Sequence, residues 1–164
     1  MYTDAVSERR IMSLHPLLRE EAMALFNDIN NNRLTGDAKM RVTRAYASFS
    51  EQNELYAQGR TKPGKIVTNA RGGDSYHNYG LALDFCLLLD NGRYASWDTV
   101  KDYDGDHTPD WMEVVYAFTD AGWEWAGTWK TFIEQAHVQK TFGHSIQALK
   151  KKPFGQDGYI RIAG

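Results

Sequence analysis

The chain has 164 residues, a formal net charge of −2 and 42% hydrophobic residues, which excludes wholesale disorder and allows one buried core. The near-neutral charge gives no basic excess for nucleic acid, and no apolar run is long enough to insert into a membrane. We therefore expect one monomeric domain over residues 1–164. The N-terminal residues lack the apolar stretch of a cleaved signal peptide.

The first third of the chain begins with a helical pattern. Apolar residues at three- and four-residue spacings predict a helix over residues 7–30, with Ser7 as its cap. Pro16 marks either a break or a first-turn position, because proline lacks the N–H that a helix interior requires. Residues 27–37 contain four asparagines, two aspartates and one glycine and are predicted to form a polar loop.

A strand and a capped helix are predicted next. Residues 40–46 alternate between apolar and polar side chains, which is typical of a strand. Residues 48–60 follow as a helix, with Ser48 at the cap position and Glu51 three residues later. This spacing predicts a capping box.

Residues 71–86, RGGDSYHNYGLALDFC, are the most informative stretch. Residues 81–89 alternate with the period of a strand yet include Asp84, and an ionised carboxylate is costly to bury without a positive partner. His77 lies seven residues upstream, and imidazole with carboxylate suits a divalent metal such as Zn²⁺. The alternative is an aspartate that caps a turn or pairs with an arginine. A turn at residues 90–93 predicts a hairpin after this strand.

The segment DYDGDHTPDWME, residues 102–113, has the ligand spacing of an EF-hand loop. Oxygen-bearing side chains occupy positions 1, 3, 5, 9 and 12, namely Asp102, Asp104, Asp106, Asp110 and Glu113. His107 stands at position 6, where this motif has glycine. Calcium binding is our prediction, and the alternative is an acidic turn in which Asp110 caps the next helix.

The last third of the chain mixes helices with short strands. Residues 111–122 are predicted as a helix, residues 123–127 as a short strand or turn, and residues 128–140 as a helical turn running into a strand. Residues 145–152 form a last helix, and residues 159–162 are assigned to an edge strand. The pattern predicts an α+β fold, in which helices pack on one small antiparallel sheet.

Glu134 and His137 form a second pair of interest. Residues three apart face the same way on a helical turn, so the two side chains can address one point. A metal ligand beside a general base is what a hydrolytic zinc site needs. The alternative is a buried strand histidine and a solvated glutamate, without a common role.

The segment SYHNYGLALDF resembles the Ser-x-His-x-x-Gly-x-Ala-x-Asp signature of the zinc D-Ala-D-Ala carboxypeptidase and L-alanyl-D-glutamate endopeptidase family. Similar blocks lie on both sides of it, so the resemblance spans most of residues 13–143. Within the family, the segments EQNELYAQGR and GWEW are most similar to the L-alanyl-D-glutamate endopeptidases.

This resemblance implies a single zinc peptidase domain that acts on the peptidoglycan stem peptide. It implies that His77, Asp84 and His137 bind Zn²⁺ and that Glu134 is the catalytic base. A phage or prophage endolysin is the expected setting, held in the host cytoplasm until its release to the cell wall. The alternatives are a D-Ala-D-Ala carboxypeptidase and a catalytically weak zinc-containing module that binds wall peptides.

Two departures from the family lie beside the expected base. The family usually has Asp where Glu134 stands and Pro where Ala136 stands. Glutamate can accept a proton equally well, but its extra methylene moves the carboxylate by about 1.5 Å, the length of one covalent bond.

A third departure concerns a substrate-binding cation. Where the family usually has an arginine that holds the substrate and the developing oxyanion, this chain has Ala47. Arg44 lies three residues before it, which on a regular strand is the opposite face. We therefore predict Arg71 and Ser75 as substrate-binding residues.

Overall fold

The computed structural model describes residues 1–163 as helices packed on one antiparallel sheet, which confirms the α+β prediction. The helices are α1 (Ala5–Met12), α2 (Pro16–Asp28), α3 (Phe49–Ala57), α4 (Asp110–Asp120) and α5 (Ile146–Lys150). The strands are β1 (Lys39–Arg44), β2 (Ala82–Leu89), β3 (Tyr94–Ser96), β4 (Glu124–Trp125) and β5 (His137–Gln139).

Strand β2 is the centre of the sheet. The strand order is β1-β2-β5-β4, every pair is antiparallel, and β3 pairs with β2 as the predicted hairpin. Leu83, Phe85 and Leu87 of β2 are fully buried on one face. They join the core formed with α2 and α4, in which the ring of Phe85 lies 4.4 Å from that of Trp111. The opposite face at Asp84 is left for the site.

The N-terminal helices differ in detail from the prediction. Pro16 is the first residue of α2, so the helical pattern over residues 7–30 breaks there, as predicted. Ser7 is not a cap: it lies inside α1, where its hydroxyl donates to Asp4 and accepts the N–H of Val42. The predicted loop is also partly wrong, because residues 29–33 continue α2 as a π-helical turn.

The capping box at the start of α3 is confirmed. The Ser48 hydroxyl accepts the N–H of Glu51 at 3.0 Å, and the Glu51 carboxylate accepts the N–H of Ser48 at 3.0 Å. Each bond satisfies a helix-terminal N–H that has no partner within the helix. Removing such a cap costs about 1 kcal/mol of stability.

The C-terminal predictions hold less well. The helical turn predicted within residues 128–140 is wrong: a 3₁₀ turn at Ala126–Thr128 lies before it, and residues 129–136 run irregularly to β5. The edge strand predicted at residues 159–162 is wrong, because this segment contributes only an isolated bridge between Phe154 and Ile160. Within residues 1–163, no helix is long and apolar enough to cross a bilayer.

Candidate metal centre and active site

A short turn before β2 positions His77. Ser75 caps the 3₁₀ turn Tyr76–Tyr79 by accepting the N–H of His77. Gly80 ends the turn at φ +68°, and a Cβ there would lie 2.4 Å from the backbone nitrogen of His15, so only glycine fits. The chain then enters β2 with the His77 side chain directed toward Asp84.

Cross-strand pairing brings the third residue to the same point. Asp84 of β2 and His137 of β5 are partners in the antiparallel register, so their side chains share one face of the sheet. One oxygen of Asp84, Oδ1, lies 3.2 Å from His77 Nε2 and 3.0 Å from His137 Nδ1. The structure thus brings together the three predicted zinc ligands, the His-Asp-His group.

Backbone and amide oxygens set the tautomer of each imidazole. His77 Nδ1 lies 2.7 Å from the carbonyl oxygen of Ala45, and His137 Nε2 lies 2.8 Å from the side-chain oxygen of Gln139. Both oxygens accept, so these nitrogens donate, and the nitrogen that faces Asp84 on each neutral ring carries a lone pair. Neither Ala45 nor Gln139 was predicted, because a carbonyl has no side-chain signal and Gln139 follows His137 at an ordinary strand spacing.

The donor set fits a zinc ion. One atom from each residue of the His-Asp-His group lies within 4.8 Å of the others, and the group combines two lone pairs with a carboxylate. Burial opposes ionisation of Asp84, but the positive charge of the protonated forms of His77 and His137 holds its pKa below the usual range, so the carboxylate is ionised and can bind a metal. Two nitrogens and one oxygen match a catalytic zinc site with a fourth position open.

Glu134 also lies at this centre, but the backbone that places it there is a turn and not the predicted helical turn. The His137 N–H donates to the Glu134 carbonyl at 3.2 Å, which forms a tight turn rather than a helical one. The turn leaves Glu134 Oε2 3.7 Å from His137 Nδ1. Burial raises the pKa of the Glu134 carboxyl, and the charge of Asp84 raises it further. A carboxylate with a raised pKa is better matched to accepting a proton near neutral pH.

A cavity of about 600 Å³ opens onto this centre. Its walls include Ser75, whose predicted substrate contact stays a prediction, together with apolar side chains of Leu55, Trp129 and Phe132. Arg71 does not line it: this exposed side chain lies over the ring of Tyr56 at 5.0 Å, which argues against the predicted substrate contact.

Arg44 lines the cavity instead, so its prediction for the opposite face is wrong. The β1–β2 register shifts between Val42 and Arg44, and Arg44 becomes the partner of Asp84. One inserted residue reverses the face of every residue that follows it. No feature of the local sequence marks this insertion.

The acidic loop, residues 102–113, has a second cluster of carboxylates. Ligand atoms of Asp102, Asp104 and Asp110 lie within 4.8 Å of one another, as do those of Asp104, Asp106 and Glu113. His107 adopts φ +75°, the left-handed conformation for which an EF-hand uses glycine. Its N–H donates to Asp102 at 2.9 Å, so histidine at position 6 does not prevent the turn.

Two oxygens of this loop are buried without a partner. Asp110 is fully buried, and its Oδ1 accepts the N–H of Tyr103 at 2.7 Å, whereas its Oδ2 accepts no hydrogen bond from any of residues 1–163. Glu113 Oε2 is also inaccessible and unbonded, and burial with the nearby aspartates raises the pKa of Glu113 to about 7. Buried carboxylate oxygens in this state are costly unless a cation meets them.

Comparisons with known proteins agree with this geometry. A peptidase M15 family model, described as D-alanyl-D-alanine carboxypeptidase, matches residues 68–140. The chain is 45% identical over 128 residues to the peptidoglycan L-alanyl-D-glutamate endopeptidase CwlK of Bacillus subtilis (strain 168), covering 77% of this chain and 72% of that protein.

Two further proteins are more distant. The L-alanyl-D-glutamate peptidase of Listeria phage A118 is 28% identical over 118 residues, which cover 67% of this chain and 39% of the phage protein. The crystal structure of the Serratia marcescens L-Ala D-Glu endopeptidase ChiX matches with a TM-score of 0.55 and 24% identity, over 87% of this chain and 91% of that one. At that identity the match shows a common fold.

Proposed function

This chain belongs to the peptidase M15 family, and we propose that it is a zinc-dependent endopeptidase that cleaves the L-Ala–D-Glu bond of the peptidoglycan stem peptide. The observation that carries the proposal is the convergence of His77, Asp84 and His137 beside Glu134 in an open cavity. The names of the CwlK and phage A118 relatives support L-alanyl-D-glutamate as the bond.

The residues divide the chemistry between holding the metal and moving a proton. The His-Asp-His group would hold Zn²⁺, which supplies a Lewis acid that polarises the scissile carbonyl and lowers the pKa of water. Glu134 accepts a proton from the water that attacks the carbonyl carbon of L-alanine. As the C–N bond breaks, Glu134 returns that proton to the amine of D-glutamate, which leaves.

Product analysis tests this function. Zinc-loaded protein incubated with purified peptidoglycan should release peptides that begin with D-glutamate, together with wall fragments that end in L-alanine. Mass spectrometry distinguishes the alternatives, because a carboxypeptidase releases only terminal D-alanine. A zinc-loaded protein that binds wall peptides and cleaves none would be a recognition module.

The setting of this activity is a separate proposal. We propose that the chain acts on the bacterial wall as a lysin, since a phage peptidase is among its relatives. Lysis should follow when the protein reaches the wall from outside permeabilised cells, as the fall in turbidity of a cell suspension would show. Turnover of isolated wall without any lysis would instead indicate a housekeeping hydrolase.

Gln139 offers a test of the metal centre that leaves every ligand in place. Gln139→Leu removes the acceptor that orients His137, and loss of such a partner typically weakens metal binding 10- to 100-fold. The zinc Kd, measured by competition with a chromophoric chelator, should rise by that factor. The matched control is Gln147→Leu on the exposed side of α5, and equal Kd values for the two variants would contradict the assignment.

We further propose that the acidic loop binds Ca²⁺. The supporting observation is the fully buried Asp110, whose Oδ2 is unbonded within a cluster of other carboxylates. The similarity to known proteins does not support calcium binding, so this proposal depends on the geometry of the loop alone. The oxygen-only donor set favours Ca²⁺ over Zn²⁺, which prefers nitrogen and sulfur.

Calcium should raise the melting temperature by several degrees. A ligand at 100 times its Kd stabilises the folded state by about 2.7 kcal/mol. The variant Asp104→Asn/Glu113→Gln keeps the side-chain shapes and should lose this shift while its zinc content stays at one equivalent. Asp120→Asn, at the exposed end of α4, is the control. A wild-type melting curve that millimolar Ca²⁺ does not move would end the proposal.

A further inference from the structure

Arg44 reaches the active-site cavity because of an irregularity in β1. Residues 39–42 of β1 pair with residues 88–85 of β2 in a regular register, which would place Thr43 opposite Asp84. Arg44 takes that place instead, so Thr43 is an inserted residue of the kind found in a β-bulge. Without the insertion, Arg44 would follow Val42 onto the buried face of the sheet, where burying an unpaired guanidinium would be costly.

The guanidinium is held on one side and free on the other. Arg44 Nη2 donates to Gln52 Oε1 at 2.7 Å. Gln52 is itself buried, and its amide nitrogen donates to the carbonyl of Ala70 at 2.9 Å. A neutral amide therefore orients the planar group without neutralising its charge. Among the ion pairs of residues 1–163, none involves Arg44.

The charged side chains that line the cavity with Arg44 are carboxylates. Arg44 is the one lysine or arginine among the described residues that line the cavity, whereas Asp74, Asp84 and Glu134 line it with carboxylates. Asp74 is paired with Lys150, and the other two belong to the metal centre. An anionic group of the substrate that enters this cavity thus meets a single protein side chain able to bind it in a bidentate fashion.

We propose that Arg44 binds the free carboxylate of the D-glutamyl residue and determines the preference for D-glutamate over its amide at that position. The proposal rests on the proposed function. A glutamyl residue within a peptide uses one carboxyl to continue the chain, so its second carboxyl remains free or is amidated. Arg44 is the cross-strand partner of Asp84 and lines the same cavity as the metal centre, so its side chain can meet a group on the residue next to the scissile bond.

This role explains how the chain can lack an arginine at Ala47. Ala47 is buried, and its N–H donates to the carbonyl of His77 at 3.0 Å, so its backbone supports the turn that carries this ligand. The bulge at Thr43, four residues earlier, directs Arg44 into the same cavity as His77. The cation is supplied from a different position of the same segment.

Binding without turnover is the first measurement. Two peptides serve as probes, identical except that the free group of the D-glutamyl residue is a carboxylate in one and a carboxamide in the other. In the Glu134→Gln background, calorimetry should give tighter binding of the carboxylate peptide. Adding Arg44→Gln should raise the Kd of the carboxylate peptide about 10- to 100-fold, the range for a charged hydrogen bond. The Kd of the carboxamide peptide should change by less than about twofold.

Kinetics with Glu134 intact provides the second measurement. Arg44→Gln should raise KM for the carboxylate peptide about 10-fold or more and change KM for the carboxamide peptide by less than about twofold. Arg44→Lys keeps the charge but not the bidentate fork, so it should restore part of the preference. Arg93→Gln, a 75% exposed arginine in the β2–β3 turn, is the charge-matched control, and melting temperatures verify folding.

The outcomes separate this inference from the function on which it rests. If Arg44→Gln lowers the affinity for both peptides equally, or lowers kcat with KM unchanged, Arg44 does not bind the carboxylate. Arg44 would then stabilise the oxyanion or have a structural role. Failure of zinc-loaded wild type to cleave either peptide would overturn the proposed function. The calorimetric preference would then still test Arg44 directly.

Discussion

Replacing Glu134 with glutamine is expected to lower kcat by about 100-fold or more while one equivalent of zinc stays bound. The amide has the same shape as the carboxylate but cannot accept the proton of the attacking water. A 100-fold loss corresponds to about 2.7 kcal/mol of transition-state stabilisation. Initial rates of peptide cleavage, with metal content measured on the same sample, are the appropriate test. Wild-type rates in Glu134→Gln would refute the assignment of Glu134 as the base.

Glu134→Asp is the matched variant, because it restores the residue usual in the family. A displacement of about 1 Å from productive geometry can cost about 100-fold in rate. The observed turn places Glu134 Oε2 3.7 Å from His137 Nδ1, so the longer side chain already reaches the centre. We therefore expect Glu134→Asp to be slower than wild type but faster than Glu134→Gln. A rate equal to that of Glu134→Gln would show that side-chain length matters as much as the carboxylate.

Removing either imidazole should have the second large effect. His77→Ala or His137→Ala leaves two of the three protein ligands, so tight zinc binding and cleavage should both be lost. Elemental analysis after dialysis against a weak chelator should give one equivalent of zinc for wild type and close to none for either variant. His144→Ala removes a histidine outside the His-Asp-His group and should retain the metal. Stoichiometric zinc in His77→Ala or His137→Ala would mean that the ligands are misassigned.

Much of the centre could be predicted because it depends on local order along the chain. The two-residue period of β2 implies that Asp84 faces away from the buried Phe85, as the structure shows. The capping box of α3 is equally local, since Ser48 and Glu51 satisfy each other's backbone N–H groups within one turn.

The other features of the centre depend on pairing between segments that are far apart in the sequence. Asp84 and His137 are 53 residues apart, and only the β2–β5 register places them on one face. The conformation of the segment before β5 was also predicted wrongly, because a four-residue turn and a helical turn both bring Glu134 near His137. Sequence spacing cannot distinguish these two backbones.

Arg44 shows most clearly what the sequence determined and what it left to the tertiary structure. The sequence determined that a cation lies near the end of β1 and that Ala47 cannot supply one. The direction of Arg44 depends on the inserted residue opposite Asp84, which is a property of the β1–β2 pair. A strand's local sequence sets which residues alternate, but its partner sets the register, and a shift of one residue exchanges the buried face for the face that carries the site.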